Sequence, residues 1–235
     1  MIASLAWYPA THSAWDRLWD ATRAGLGPHL SDAPTRLTWP VDFASHWRAP
    51  DLILSMTCAL PLQLGLFDRV QIVGTPIWDV PGLPKGHYAS HLVTRADDGR
   101  ALSRAAASGI AVNAPDSQSG WGTLVGAGLT GPSIVTGSHA ASMQAVACGR
   151  ADLAAIDVVT WAMMGGDARL AIRDTTPPTP ATPFITARAD LAAPLRVALA
   201  QAIADMSASD RAATGLSGLT RLSDAVYAPL LRRSA

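Results

Sequence analysis

The chain has few charged side chains and no excess of either sign. Charged residues make up 15% of its 235 residues, and 18 basic side chains balance 18 acidic ones. Globular proteins typically contain about 25% charged residues. A neutral chain has no long-range field to gather nucleic acid or an anionic membrane surface. We therefore expect no nucleic-acid partner, and we expect any bound anion to be held by local hydrogen bonds.

The sequence also lacks the patterns of a disulfide scaffold or a membrane protein. Its two cysteines, Cys58 and Cys148, stand far apart, and we expect both to be buried thiols. No apolar run reaches the roughly 18 residues of a membrane span. The start of the chain, from Met1 to Pro9, lacks the basic region of a secretory signal. The expected compartment is the cytoplasm, or the periplasm if a leader is missing from this chain.

Local motifs of nucleotide-binding and hydrolytic sites are missing too. No GxGxxG follows a predicted strand, and GxxxxGK[ST], HExxH and GxSxG do not occur. His12 and His46 are isolated, and no cysteine and histidine have metal-ligand spacing. We expect no metal, no cofactor and no catalytic residue.

Apolar strand-like runs alternate with helical patterns almost throughout the chain. Runs that are apolar on both faces are typical of parallel sheets, and the alternation favours an α/β architecture with helices on both faces. The predicted strands are Ile2–Trp7, Thr35–Trp39, Asp51–Ser55, Val70–Ile77, Tyr88–Arg95, Ile110–Asn113, Ser133–Thr136, Asp152–Ile156 and Phe184–Ala187. The first predicted helix has Thr11 as its N-cap and is ended by Gly25, Gly27 and Pro28. The other predicted helices are Arg100–Ser108, one that begins near Ser119, His139–Cys148, Asp157–Met164, Asp190–Asp205, Ser209–Gly215 and Ser223–Arg233.

The strand-and-helix rhythm starts twice, which predicts two lobes. The stretch Asp174–Pro183 contains four prolines, so it cannot be helical and is predicted to be an extended connection. The first lobe is expected to comprise residues 1–89 with 184–235. The second is expected to comprise residues 90–183 with the crossing segments.

The best candidate for a binding site is the segment NAPDSQSGWGTL, which follows one of the predicted strands. Ligands of open α/β sheets bind beyond the carboxyl ends of strands. Ser117 and Ser119 offer hydroxyl groups there, Gln118 offers an amide, and Gly120 lets the backbone approach a ligand closely. An ordinary turn capped by Asp116 or Ser117 explains the same residues.

Two further candidates follow later strands. His139 comes directly after the N-cap Ser138, where it can donate to an oxyanion or join a capping network. The helix N-terminus is expected to lower the pKa of His139, which keeps the ring neutral. Asp157 stands where it caps a helix, or accepts from a ligand amine or from His139.

Three residues of the first part of the chain are weaker candidates. Tyr8 and Thr57 each follow a predicted strand, and Tyr88 comes before the proposed crossing strand. Thr57 can donate to a ligand or cap the next helix. Tyr88 can form a wall of the site or pack in the interior.

Several segments resemble one family in composition and in order. They are SMTCALPLQL at 55–64, VGTPIWDVPGLPKGHYAS at 73–90, NAPDSQSGW at 113–121, TGSHAASMQAVACGRADLAAIDVVTW at 136–161 and PPTPATPFITA at 177–187. Together they are similar to the phosphonate-binding proteins of bacterial ABC transporters. The resemblance implies an α/β fold of the two-lobed, type 2 periplasmic-binding-protein kind, with two mixed sheets flanked by helices and joined by two crossing segments.

The resemblance also implies a function. The expected protein is a monomeric solute-binding protein that closes on a small anionic ligand, phosphonate- or phosphate-like, and feeds an ABC permease. The ligand contacts implied are Ser117, Gln118, Ser119, His139 and Asp157, with first-lobe contacts at Tyr8, Thr57 and Tyr88. Asp157 corresponds to an acidic residue that contacts the amino group in relatives that bind aminophosphonates. Gln118 departs from the family pattern, because a hydroxyl residue is common there.

Two alternatives stay open on the sequence alone. Some menaquinone-pathway enzymes are similar in fold and act in the cytoplasm, and in such an enzyme Asp157 or His139 would serve as a general base. A cytoplasmic ligand sensor is the other.

Overall fold

The structure is a computed structural model that describes residues 1–5, 7–8 and 12–227. These residues form two compact units. Of the described residues, the first unit contains those in 1–81, 85–87 and 180–227, and the second contains 82–84 and 88–179. No helix in the described ranges has the length and apolar character needed to cross a membrane.

The strands and helices alternate along much of the chain. The strands are Ile2–Ala3 (β1), Leu52–Met56 (β2), Gln71–Trp78 (β3), His87–Tyr88 (β4), Ser90–Arg95 (β5), Ile110–Val112 (β6), Ser133–Val135 (β7), Leu153–Asp157 (β8), Leu170–Thr175 (β9), Thr179–Pro180 (β10), Phe184–Thr186 (β11) and Leu216–Thr220 (β12). The α-helices are His12–Leu26 (α1), Phe43–Trp47 (α2), Ala59–Pro61 (α3), Leu102–Ser108 (α4), Thr123–Gly126 (α5), His139–Ala147 (α6), Val158–Met163 (α7), Ala192–Ala204 (α8) and Ala208–Thr214 (α9). Shorter helical turns are Leu62–Leu66, Gln118–Gly122, Ala189–Leu191 and Asp224–Tyr227.

The second unit is built on a mixed sheet with strand order β7-β6-β8-β5-β9. β6 runs parallel to β7 and β8, whereas β5 is antiparallel to β8 and β9. Alternate residues of these strands belong to two separate cores: Ile110 and Val112 lie in one, and Ala111 lies in the other. Because helices cover both faces, the strands are apolar on both faces, as the sequence predicts.

This strand order brings several chain segments to one edge of the sheet. The carboxyl ends of the parallel strands β6, β7 and β8 share that edge. β5 is antiparallel, so its first residue, Ser90, lies beside Asp157, the last residue of β8. The loops after β6, β7 and β8 therefore begin close to the start of β5.

The first unit has a second mixed sheet, with strand order β1-β2-β11-β3-β12. β1 is parallel to β2, and β11 inserts antiparallel between β2 and β3. Helix α1 packs against α8, where a Cβ atom on Gly25 would lie 3.0 Å from the Cβ of Ala198. Gly25 thus permits close helix packing and does not end α1, which continues to Leu26. β4 and β10 form a separate two-stranded sheet.

Some elements predicted from the sequence are wrong. Thr35–Trp39 is not a strand, although the Thr38 N–H donates to the Ala3 carbonyl at 2.7 Å. The first strand is shorter than predicted and covers Ile2–Ala3 only. Cys148 is exposed at the end of α6, whereas Cys58 is buried as predicted.

Other elements were missed or lie partly outside the described residues. Strands β9 and β12 and the short helix α2 are not among the elements predicted from the sequence. The predicted cap Thr11 lies outside the described residues. The predicted helix Ser223–Arg233 is a short turn at Asp224–Tyr227, and its remainder lies outside the described residues.

Candidate functional site

The loop after β6 carries the serine-rich segment and folds into the helical turn Gln118–Gly122. Ser117 is its N-cap, and its hydroxyl oxygen accepts from the Gly120 N–H at 3.1 Å. A Cβ atom on Gly120 would lie 2.0 Å from Oδ1 of Asn113, so only glycine fits this turn without rearrangement. Ser117, Gln118 and Ser119 are all buried.

Two backbone carbonyl groups of this turn accept hydrogen bonds from side-chain hydroxyl groups of the second unit. The Thr123 hydroxyl donates to the Gln118 carbonyl at 3.1 Å, and the Ser90 hydroxyl donates to the Ser119 carbonyl at 3.0 Å. The C=O and N–H of a trans peptide point in opposite directions. The Ser119 N–H therefore points away from Thr123, toward the start of the turn, as expected for first-turn amides.

His139 comes from the loop after β7 and is the first residue of α6. The Ser138 hydroxyl caps this helix by accepting from the Ala141 N–H at 3.1 Å. Nε2 of His139 lies 2.8 Å from the hydroxyl oxygen of Ser119. The loops after β6 and β7, 20 positions apart in sequence, are thereby joined through side chains.

Asp157 completes the cluster from the end of β8, where it is also the N-cap of α7. One carboxylate oxygen, Oδ1, accepts from the Thr160 N–H at 2.8 Å, and Oδ2 accepts from the Thr160 hydroxyl at 2.6 Å. Oδ2 also lies 3.4 Å from Nε2 of His139. The side chains of His139 and Asp157 are 10% and 3% exposed, so water screens this pair weakly. We name Ser119, His139 and Asp157 the oxyanion triad.

Burial controls the charge of the histidine. Burial lowers the pKa of His139 below its ordinary value, while the Asp157 carboxylate and the Ala155 backbone oppose that change. The direction agrees with the prediction from the sequence, but the main cause is removal of the ring from water and not the helix N-terminus. The ring is therefore neutral near pH 7 and acts as a hydrogen-bonding group.

The remaining predicted residues are placed apart from these contacts. Gln118 begins the helical turn, and Tyr88 is buried in β4, two residues before Ser90. Tyr8 and Thr57 belong to the first unit. The Tyr8 ring packs edge-on against Trp78 with centroids 4.6 Å apart, and the Thr57 hydroxyl makes a long, 3.4 Å bond to the Cys58 carbonyl.

Sequence reasoning missed the residues that hold the triad in place. Ser90 begins a strand and so is not a strand-end residue, although its antiparallel pairing puts it beside Asp157. Thr160 gave a usable signal, because an aspartate followed three residues later by a residue with a donor resembles a capping box. Thr123 gave none, since a threonine after a glycine is common in any helix start.

The cluster can bind an oxyanion without a cationic side chain. The hydroxyls of Ser117 and Ser119 and the amide N–H groups at two helix starts are hydrogen-bond donors. Donors of this kind, together with the partial positive charge of a helix N-terminus, solvate phosphate-like groups in proteins.

Comparison with known sequences gives one family. A family model described as the periplasmic substrate-binding protein of an ABC transporter for phosphonate matches residues 74–228. The matched range includes every residue of the oxyanion triad. A search of curated proteins finds no match.

Solved structures with the same fold include two phosphonate-related proteins. PhnD1 from Prochlorococcus marinus, in complex with methylphosphonate, is 13% identical with a TM-score of 0.69, covering 99% of this chain and 96% of that one. A binding protein component of an ABC phosphonate transporter from Pseudomonas aeruginosa (PA3383) is 14% identical with a TM-score of 0.69, covering 95% and 82%. XAC2383 from Xanthomonas citri, bound to ATP, is 16% identical with a TM-score of 0.69, covering 99% and 94%. These likenesses confirm the predicted two-lobed α/β fold class.

Proposed function

Because this chain belongs to the family of periplasmic phosphonate-binding proteins of ABC transporters, we propose that its oxyanion triad and the neighbouring Ser117 bind the phosphonate or phosphate group of the ligand. The observation that carries the proposal is the contact of Ser119 with His139, which is 2.8 Å long and partly buried beyond the ends of two adjacent strands. A substrate-binding protein is not an enzyme, so the enzyme alternative raised by the sequence has no support from the family. Members of this family are periplasmic.

The direction of each hydrogen bond supports the proposal. The Asp157 carboxylate has only acceptors, so the imidazole nitrogen that faces it, Nε2, carries the proton. Ser119 Oγ then accepts from Nε2 and keeps its own proton for another acceptor. Ser117 Oγ likewise accepts from the Gly120 N–H and retains its proton. Both hydroxyl groups are therefore set up as donors to an anion.

The expected affinity follows from the number of donors. A hydrogen bond to a charged group contributes about 1.5–3 kcal/mol. Three or four such bonds, less the cost of ordering the ligand, give a dissociation constant of roughly micromolar or tighter. Gln118 offers an amide donor in place of a hydroxyl and belongs to the same proposal.

Isothermal calorimetry on the full chain tests the proposal with methylphosphonate and inorganic phosphate as ligands. Ser119→Ala removes one charge-assisted donor and is expected to weaken binding of the tighter-binding ligand by about 1.5–3 kcal/mol, or roughly 10- to 150-fold in the dissociation constant. Ser133→Ala is the matched control, because Ser133 is an exposed serine of the same unit in β7. Binding that is equally tight in Ser119→Ala and the unmodified protein would show that the ligand lies elsewhere.

Several sequence predictions stand beside this proposal. Tyr8, Thr57 and Tyr88 stay predicted ligand contacts, and residues 1–89 with 184–235 and 90–183 stay predicted lobes. Delivery of the ligand to an ABC permease and the monomeric state belong to the proposal as well.

A further inference from the structure

We infer that Asp157 is a positioning residue that fixes His139 and does not receive a ligand amine, so that the site takes phosphonates without selecting an amino group. The inference rests on the proposed function, since it names the ligand class of the same site. It departs from the role that the family resemblance implies for this position.

The hydrogen bonds of Asp157 are already committed within the second unit. Oδ1 accepts from the Thr160 N–H, and Oδ2 accepts from the Thr160 hydroxyl and faces Nε2 of His139. A carboxylate has about four acceptor positions, and three of them are directed at these partners. Its side chain is 3% exposed. Because so little of the side chain is exposed, the one remaining acceptor position, on Oδ1, is shielded from a ligand ammonium.

Thr160 holds the carboxylate in a single orientation. Its backbone N–H and its hydroxyl bind different oxygens of the same group, so the carboxylate cannot rotate without losing a bond. This fixes Oδ2 opposite Nε2 of His139. The fixed Oδ2 in turn selects the tautomer with the proton on Nε2, which directs the Ser119 hydroxyl toward the ligand.

The substitution Asp157→Asn separates the two roles. The new amide oxygen keeps the Thr160 N–H, so the NH2 group faces Nε2 of His139. The imidazole proton then moves to Nδ1, Nε2 becomes an acceptor, and the Ser119 hydroxyl turns inward to donate to it. If Asp157 is a positioning residue, Asp157→Asn therefore weakens the binding of all phosphonates alike. If Asp157 receives the ligand amine, the substitution weakens the binding of the aminophosphonate only.

The experiment compares ethylphosphonate with 2-aminoethylphosphonate by calorimetry. We expect the unmodified protein to bind the two ligands within about threefold of each other, and Asp157→Asn to weaken both by a similar factor of about ten or more. Asp97→Asn is the charge-matched control, because Asp97 is an exposed carboxylate of the second unit just beyond the opposite end of β5. A preference of tenfold or more for the aminophosphonate that disappears in Asp157→Asn overturns the inference.

A second readout does not depend on ligand binding. Nitrogen chemical shifts of the His139 ring should show the proton on Nε2 in the unmodified protein and on Nδ1 in Asp157→Asn. The same tautomer in both proteins overturns the positioning role. Failure of both phosphonates to bind refutes the proposed function instead, while the tautomer still decides the role of Asp157.

A milder pair of variants protects the test against misfolding. Thr160→Val removes the hydroxyl that binds Oδ2 but keeps the backbone bond, whereas Thr160→Ser keeps both. We expect Thr160→Val to weaken both phosphonates equally, by less than Asp157→Asn does, and Thr160→Ser to bind like the unmodified protein. A loss confined to 2-aminoethylphosphonate in Thr160→Val contradicts the inference.

Discussion

The buried histidine of the oxyanion triad should make the second unit less stable as the pH falls. Burial is the largest effect on His139 and lowers its pKa, so the folded protein resists protonation of the ring. In the unfolded chain a histidine titrates near pH 6.5. Below that pH the unfolded state binds more protons than the folded state, and the free energy of unfolding decreases. The stability from the neutral ring is thus complete above pH 6.5 and is lost as pH falls toward the lowered pKa.

The size of this effect has an upper limit. A group that stays neutral in the folded state and titrates at 6.5 when unfolded changes the free energy of unfolding by about 1 kcal/mol between pH 7.2 and 5.8. His139→Gln removes this contribution. Its unfolding free energy should therefore fall less over the same interval, by up to about 1 kcal/mol.

Hydrogen exchange of the β8 amides measures this free energy for the second unit itself. The measurements are made in bis-Tris without phosphate, because a bound anion would stabilise the folded state. Ser119→Ala is the control, since it removes a partner of His139 but keeps the buried ring. Parallel pH curves for His139→Gln and the unmodified protein would refute the argument, because they would show that the ring titrates alike in both states.

Two glycine positions give further predictions, each measured by urea denaturation. Gly120→Ala places a Cβ atom against Asn113 and should lower the unfolding free energy by about 1–3 kcal/mol. In an Asn113→Ala background the same substitution should cost little, because the clashing side chain is gone. An equal cost in both backgrounds argues against this clash. Gly25→Leu should lower the unfolding free energy by about 1–3 kcal/mol, because the larger side chain separates α1 from Ala198. The control is Ala24→Leu, which changes an exposed residue of α1 and should lower the unfolding free energy little. Equal effects of the two substitutions argue against close helix packing.

The sequence predicts the central strands of the second unit well because their apolar character has one physical cause. β6 and β8 are covered on both faces, so nearly every residue in them is apolar. β9 lies at the sheet edge with its last four residues exposed, and such a strand has no apolar pattern to detect. Thr35–Trp39 shows the reverse error, since a local pattern of β-formers cannot reveal that no strand pairs along it.

The sequence identifies Ser119, His139 and Asp157 as candidates, but it leaves open whether they contact one another. Strand-end reasoning identifies Ser119, His139 and Asp157 one at a time, because polar residues after buried strands are conspicuous. The contact between them depends on which strands are neighbours. That order, and the register that puts Ser90 beside Asp157, are set by tertiary pairing and cannot be read from any one segment.

A site without cationic side chains must orient its neutral donors, since a hydroxyl can as easily accept as donate. In the proposed arrangement each residue orients the next: Thr160 fixes Asp157, Asp157 fixes the His139 proton, and His139 leaves the hydroxyl proton of Ser119 available for a ligand. Each contact fixes the direction in which the next group donates its hydrogen bond, and this takes the place of attraction by a cationic side chain. Affinity should therefore depend on Thr160, which is separated from Ser119 by two intervening residues, more than on the net charge of the chain, which is zero.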